Sequence, residues 1–201
     1  MKEIIYGTSN PAKVAQVRDV LEPLGFVVKS LADFNSKITV DEDGETAEEN
    51  ALKKAVAYSK ELNMPVLSMD VALYFNDLPE DKQPGLHVRR INNDESRPSD
   101  EDMLAYYANL AASMGDRMKA YWRYAFALAW PDGRKVSFAH DTPRIFVSKP
   151  SPKIVEGFPL ESLQVDPETN KYISEMSKEE LASFWQNSIG IPLSQFVQDN
   201  Y

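Results

Sequence analysis

The sequence contains no cysteine. That excludes disulfides, thiolate catalysis and cysteine-ligated zinc. Histidine is scarce too: only His87 and His140 occur, far apart, which argues against a histidine-rich metal centre or a Ser-His-Asp triad. No apolar run reaches the ~18 residues of a transmembrane helix. The start, Met1-Lys2-Glu3-Ile4-Ile5, passes directly into a strand pattern without the features of a signal peptide, so the expected setting is cytoplasmic, away from any membrane. Positive charge is also in short supply. Against 31 Asp and Glu stand 22 Lys and Arg, a net charge of −9, which argues against general nucleic-acid binding. A small anionic ligand, held by a few lysines or by a divalent cation, is left open.

What is present fits a soluble globular protein. A hydrophobic content of 43% and a charged content of 26% are ordinary, and 201 residues suffice for one domain or two small lobes. No repeat or low-complexity segment interrupts the chain. The most informative stretch comes first. Ile4-Ile5-Tyr6 reads as a strand, and Val14, Val17, Val20, Leu21 and Leu24 read as one face of a helix. Between them lies Gly7-Thr8-Ser9-Asn10-Pro11-Ala12-Lys13, with Asn10 suited to the N-cap and Pro11 to the first helical position. Lys13 is out of place there, because a helix start favours acids. It reads either as a surface lysine or as part of an anion site with Thr8, Ser9, Asn10 and spare backbone donors.

Further along, Pro23 and Gly25 end the first helix, and Phe26-Val27-Val28 forms a second strand, giving a β-α-β opening. An acidic connection over 33–45 leads to a helix announced by a capping box, Thr46 with Glu49. Val66 to Asp70 reads as a buried strand, extended as far as Phe75. Residues 76–98 read as a long loop, and Ser99 caps a helix. Residues 120–130 alternate as a strand, Pro131-Asp132-Gly133 turns, 134–140 returns as its hairpin partner, and Arg144 to Ser148 forms a separate strand. Two helices are expected near 177–187 and 192–199. Phe158, Phe184 and Trp185 read first as core residues.

Asp41, Glu42, Asp43, Glu45, Glu48 and Glu49 crowd one helix start, where they read first as a solvated cap. Asp70 differs. It ends an apolar strand, where open α/β sheets place ligand groups. Hard oxygen ligands beside Lys53 or Lys54 are what a magnesium–nucleotide site needs.

These residues resemble the inosine-triphosphate pyrophosphatase family, the Ham1-like nucleoside-triphosphate diphosphatases. Thr8-Ser9-Asn10-Pro11-Ala12-Lys13 matches its opening turn. Glu42-Asp43-Gly44-Glu45-Thr46-Ala47-Glu48-Glu49-Asn50-Ala51-Leu52-Lys53-Lys54-Ala55 matches its second block without gaps. Met69-Asp70-Val71-Ala72-Leu73 stands where the family has Asp-Asp-Ser-Gly-Leu, Pro84-Gly85 through Arg90 matches a later block, and Gly157-Phe158 matches the start of the base-binding loop. The resemblance implies a single α/β domain over 1–201, with a long twisted mixed β-sheet flanked by helices in two lobes around a central cleft. It implies a homodimer that uses Mg²⁺ to hydrolyse a nucleoside triphosphate, such as a non-standard purine nucleotide, to monophosphate and pyrophosphate. Carried over by position, Thr8, Ser9, Asn10, Lys13, Lys54, Arg90 and Phe158 would bind substrate, Glu42 and Asp70 the metal, and Asp70 would be the catalytic base.

The departures rewrite the half that selects the base and leave the phosphate and metal half largely kept, though there a phosphate cation is lost and Val71-Ala72 replace Ser-Gly. Met69 replaces an aspartate, Pro159-Leu160-Glu161-Ser162 lacks the family's Gly-Tyr-Asp-Pro, Leu181 stands for a lysine, and Trp185-Gln186-Asn187 stand for Ser-His-Arg. The expectation is altered base specificity, with a weakly active or inactive nucleotide-binding protein of the same fold as the alternative.

Overall fold

The computed structural model describes residues 2–34, 38–91 and 98–201. Parts of the acidic connection and of the 76–98 loop therefore lie outside the described residues. Six strands form one mixed sheet in the order β2-β1-β3-β4-β5-β6. β1 (Lys2–Tyr6) pairs in parallel with β2 (Phe26–Ser30) and with β3 (Val66–Phe75), while β5 (Lys135–Val147) pairs antiparallel with β6 (Gln164–Val165). Between β5 and β3 in the sheet runs β4 (Arg117–Ala129). The parallel part has the expected β-α-β origin: α1 (Pro11–Leu21) links β1 to β2, and α2 (Ala47–Leu62) precedes β3. Ile4, Ile5 and Tyr6 are all buried, the continuous apolar run of a strand covered on both faces.

Two compact units emerge from the chain. The first comprises 1–71, 124–140 and 184–201, and the second 72–123 and 141–183. In the first, Ile5, Tyr58 and Val66 form a core cluster with Leu31, Phe34, Val40, Leu62 and Met64 packed around it. α1 packs on β2 and on α5 (Ile191–Asn200). In the second, α3 (Asp100–Ser113) lays Met103, Tyr107 and Ala111 into a core with Leu73, Phe75 and Phe146. The Phe75 ring meets Phe146 edge-on at 5.0 Å and stacks beside Tyr107 at 6.1 Å.

Gln83 seals one flank of β3 in this second unit. Its side-chain oxygen accepts from the Phe75 N–H (2.8 Å), and its nitrogen donates to the carbonyls of Phe75 (2.6 Å) and Leu78 (2.9 Å). Two residues on, Gly85 exchanges both backbone hydrogen bonds with Leu73, each 2.9 Å.

Two expectations are corrected. The segments read as a strand over 134–140 and another from Arg144 are one strand, β5. A proline lacks a ladder donor, so Pro143 would be expected to interrupt the pairing. Here Arg123 holds Asp141 through two 2.8 Å hydrogen bonds and Thr142 donates to the Trp122 carbonyl at 3.2 Å, so side chains carry the pairing past the proline. Likewise the two tail helices run together: α4 (Lys178–Trp185) passes through a π-helical turn, Gln186–Gly190, into α5.

Phe75→Ala removes an aromatic ring from the centre of the second unit's core, and should destabilise it by about 3–5 kcal/mol. The urea unfolding midpoint followed by tryptophan fluorescence and circular dichroism measures it.

Candidate active site

The strand-turn-helix at the start of the chain forms as its sequence dictates. Asn10 caps α1, its side-chain oxygen accepting from the N–H groups of Ala12 (3.0 Å) and Lys13 (3.4 Å). The Val14 N–H goes to the Asn10 carbonyl, and the Asn10 N–H goes to the Thr8 hydroxyl at 3.2 Å. Pro11 has no N–H to offer. The helix start has thus consumed its own amides, contrary to the expectation of spare backbone donors. Among the described residues, Lys13 has no ion pair, and its side chain lies at the exposed surface. What this turn can offer an anion is chiefly the Lys13 ammonium with the hydroxyls of Thr8 and Ser9. Gly7 precedes it because space is short: a Cβ there would lie 3.3 Å from both the Ser68 hydroxyl and the Tyr58 ring.

The acidic block is held by α2 itself. Thr46 caps the helix by accepting from the Glu49 N–H at 3.2 Å. The return bond of the predicted box is displaced by one residue, with Glu49 accepting from the Glu45 N–H at 2.8 Å. Asn50 is buried at 2% exposure, and its side-chain oxygen accepts from the Gly44 N–H at 2.8 Å. A Cβ on Gly44 would come within 2.6 Å of that oxygen and 2.9 Å of the Glu49 Cβ. Gly44 and Asn50 therefore form a matched pair that fixes the path of the loop carrying Glu42.

The two adjacent lysines of α2 take different roles. Lys53 points outward and pairs with Asp43 at 2.8 Å; both side chains are well exposed. This pair draws the Asp43 carboxyl below and the Lys53 ammonium above their usual ranges. Lys54 turns inward. Its ammonium lies 2.9 Å from Glu42 Oε1 and 3.1 Å from Asp70 Oδ1, with the Lys54 and Asp70 side chains only 12% and 17% exposed. Burial pushes the Tyr6 phenol well above its ordinary range, with the Asp70 charge adding to the effect. The Tyr58 phenol is raised first by burial; Lys54 opposes the shift and Glu42 reinforces it.

The structure brings together Glu42, Lys54 and Asp70 within the first unit, which also holds Thr8, Ser9, Asn10 and Lys13. Arg90 and Phe158 belong to the second unit. Arg90 is exposed and lines a cavity with His87, Gln83, Tyr106 and Tyr107. Phe158 is 61% exposed, which corrects its reading as a core residue, and Phe184 and Trp185 are half-buried, edge-on to each other at 5.1 Å. Sequence reasoning missed what holds the Phe158 corner. Asp100 accepts from the Gly157 N–H at 2.6 Å, and Arg89 donates to the Gly157 carbonyl at 3.2 Å while pairing with Asp100 at 3.6 Å. Asp100 looks like an ordinary first-turn acid, so nothing in its neighbourhood signals a partner 57 residues away.

Two converging carboxylates suit a hard divalent cation. Magnesium keeps several waters and takes one or two carboxylates plus substrate phosphates. Among the described residues no cluster of three or more potential ligands could hold a metal without help. Glu42 and Asp70 therefore fit an ion that arrives with phosphate oxygens, not one caged by protein alone.

A mixed sheet flanked by helices, with a lysine at its first strand-turn-helix and another clasped by two carboxylates, defines an α/β protein. The Ham1 family profile matches residues 4–186, and the chain belongs to that family. It is 28% identical over 180 residues to the dITP/XTP pyrophosphatase of Bacillus subtilis, covering 90% of this chain and 88% of the relative. With the dITP/XTP pyrophosphatase of Thermus thermophilus the identity is 30% over 183 residues, covering 90% and 84%. The fold is shared with the Ham1 protein of Staphylococcus aureus (TM-score 0.79, 23% identity, 100% of both chains). It is shared as well with that of Coxiella burnetii (TM-score 0.81, 20% identity, 99% and 100%).

Gly44→Ala should destabilise the protein by about 1–3 kcal/mol, as overpacking does, and should displace the Glu42 loop. Thermal melting reads the first effect and a crystal structure of the variant the second.

Proposed function

We propose that this chain is a nucleoside-triphosphate diphosphatase that releases pyrophosphate and a nucleoside monophosphate, with Mg²⁺ as its cofactor and a base preference altered from that of its relatives. The observation that carries this reading is the convergence of Glu42 and Asp70 on Lys54. The names of the relatives, dITP/XTP pyrophosphatases, support the reaction class.

Glu42 and Asp70 would hold the metal. When bound, the ion supplies charge neutralisation on the phosphates and makes a coordinated water more acidic. Lys13 and Lys54 bind the triphosphate and offset the charge that builds as pyrophosphate departs. Thr8, Ser9 and Asn10 shape the turn beside it. Asp70 orients the attacking water and accepts its proton while the water oxygen bonds to the α-phosphorus; the bond from that phosphorus to the bridging oxygen breaks, and pyrophosphate leaves. Arg90 and the exposed ring of Phe158 contact the nucleotide, an assignment that rests on the resemblance alone. Trp185-Gln186-Asn187, in place of the family's Ser-His-Arg, account for the altered preference, while Leu181 leaves out one phosphate cation. A homodimer, also drawn from the resemblance, completes the reading.

A panel of standard, deaminated and modified triphosphates, assayed for pyrophosphate with Mg²⁺, tests the reaction. Turnover of at least one is expected; binding without turnover across the panel would leave a nucleotide-binding protein instead. Asp70→Asn should lower kcat by about two orders of magnitude or more, and an unchanged kcat would reject Asp70 as the base. Lys13→Ala should raise KM for the triphosphate with a smaller effect on kcat, as steady-state kinetics will report.

A further inference from the structure

We infer that Lys54 is an exchangeable counter-cation: in the free enzyme it occupies the place of the metal between Glu42 and Asp70, and it yields that place only when metal and triphosphate arrive together. This rests on the diphosphatase reading and concerns how its site is loaded. The ammonium lies 2.9 Å from one carboxylate and 3.1 Å from the other, so it already neutralises the two groups that would hold the metal. The side chain is 12% exposed, so water does little to screen the charge. A compact +1 group and a divalent ion repel each other too strongly to share that space. A metal ion arriving alone would therefore have to displace Lys54 without bringing an anion to receive it. A metal ion arriving with a triphosphate brings the anion. The flexible four-carbon stem lets the ammonium pass from carboxylate to phosphate, exchanging one charge-assisted partner for another.

Lys53 supplies an internal contrast. One position away on the same helix, it pairs with Asp43, whose side chain is 75% exposed, and touches neither Glu42 nor Asp70 in the described contacts. Only Lys54 competes with the metal. By linkage, metal and triphosphate must each strengthen the binding of the other by the same factor.

Electron paramagnetic resonance of Mn²⁺, titrated alone into the protein, tests the competition. Lys54→Met should bind Mn²⁺ about tenfold more tightly than wild type, within the usual range of site coupling. Lys54→Arg should retain the weak wild-type affinity, and Lys53→Met should match wild type. Equal Mn²⁺ affinity in Lys54→Met and wild type would overturn the inference. Calorimetry with preformed magnesium tripolyphosphate tests the exchange. Lys54→Met should bind this complex about tenfold more weakly than wild type, and undiminished binding would overturn it.

Should Lys54→Met fail to fold, the ammonium ¹⁵N resonance of wild-type Lys54 takes its place. It should hold its position when Mg²⁺ alone is added and move when magnesium tripolyphosphate is added; a shift with Mg²⁺ alone, or with neither, would overturn the inference. Pyrophosphate release separates the two readings. Turnover without the Mn²⁺ difference removes the exchange and keeps the enzyme. The Mn²⁺ difference without turnover on any nucleotide keeps the exchange and removes the enzyme.

Discussion

One ammonium group, shared by two carboxylates in a half-buried site, is the constraint around which the first unit is arranged. Its two ion pairs are unequal. Glu42 is 53% exposed, so its pair with Lys54 is worth about 1 kcal/mol or less. Asp70 is 17% exposed, and a carboxylate at that depth is costly to leave without a partner. Lys54 is thus tied mainly to β3 and more loosely to the loop before α2. The surrounding chemistry follows. Asn50 reaches back to Gly44 so that Glu42 keeps its course. A site that depended on an all-protein metal cage would need more acids converging. This one has two and a lysine, a set suited to a visiting polyanion and its counter-ion.

The N-terminal turn contributes in a different manner from a glycine-rich phosphate loop. Its amides are occupied by Asn10, so its charge comes from a side chain, not from the backbone. A self-capped helix is already formed before any ligand is present. The cost of ordering the turn is met during folding, and Lys13 stands on a rigid base. The long stem of Lys13 remains free to adjust, while Asn10, Thr8 and Gly7 do not.

Local chemistry made much of this legible in the sequence. Asn10-Pro11, Thr46 with Glu49, and Ser99 mark helix starts because capping is settled within four residues. The apolar run before Asp70 and the gapless block from Glu42 to Ala55 singled out Glu42, Lys54 and Asp70, three side chains that lie together in the structure. From the residues alone the choice between Lys53 and Lys54 stayed open, and it was the family resemblance that assigned Lys54. Neighbours on a helix differ by about 100° in direction, and only the packed position of α2 decides which faces β3. The continuity of β5 past Pro143 was hidden because its support, Arg123 on Asp141, comes from another strand. Phe158 was misread because an aromatic is usually buried, whereas here Asp100 and Arg89 grip the backbone beside it and leave the ring outside. Each miss concerns a partner distant in the chain.

Gln83 has a consequence beyond the local bonds it makes. Among the described residues β1 pairs with β3 at Val66 and Leu67 alone, so the rest of that flank would otherwise present bare amides and carbonyls. Such an edge is a template on which another chain can add a strand. By imitating a backbone with its own amide, and by leading Gly85 into register with Leu73, this segment closes the template from within. The long central strand is thereby kept out of intermolecular β-pairing along this flank, protecting the protein against self-association through its own sheet.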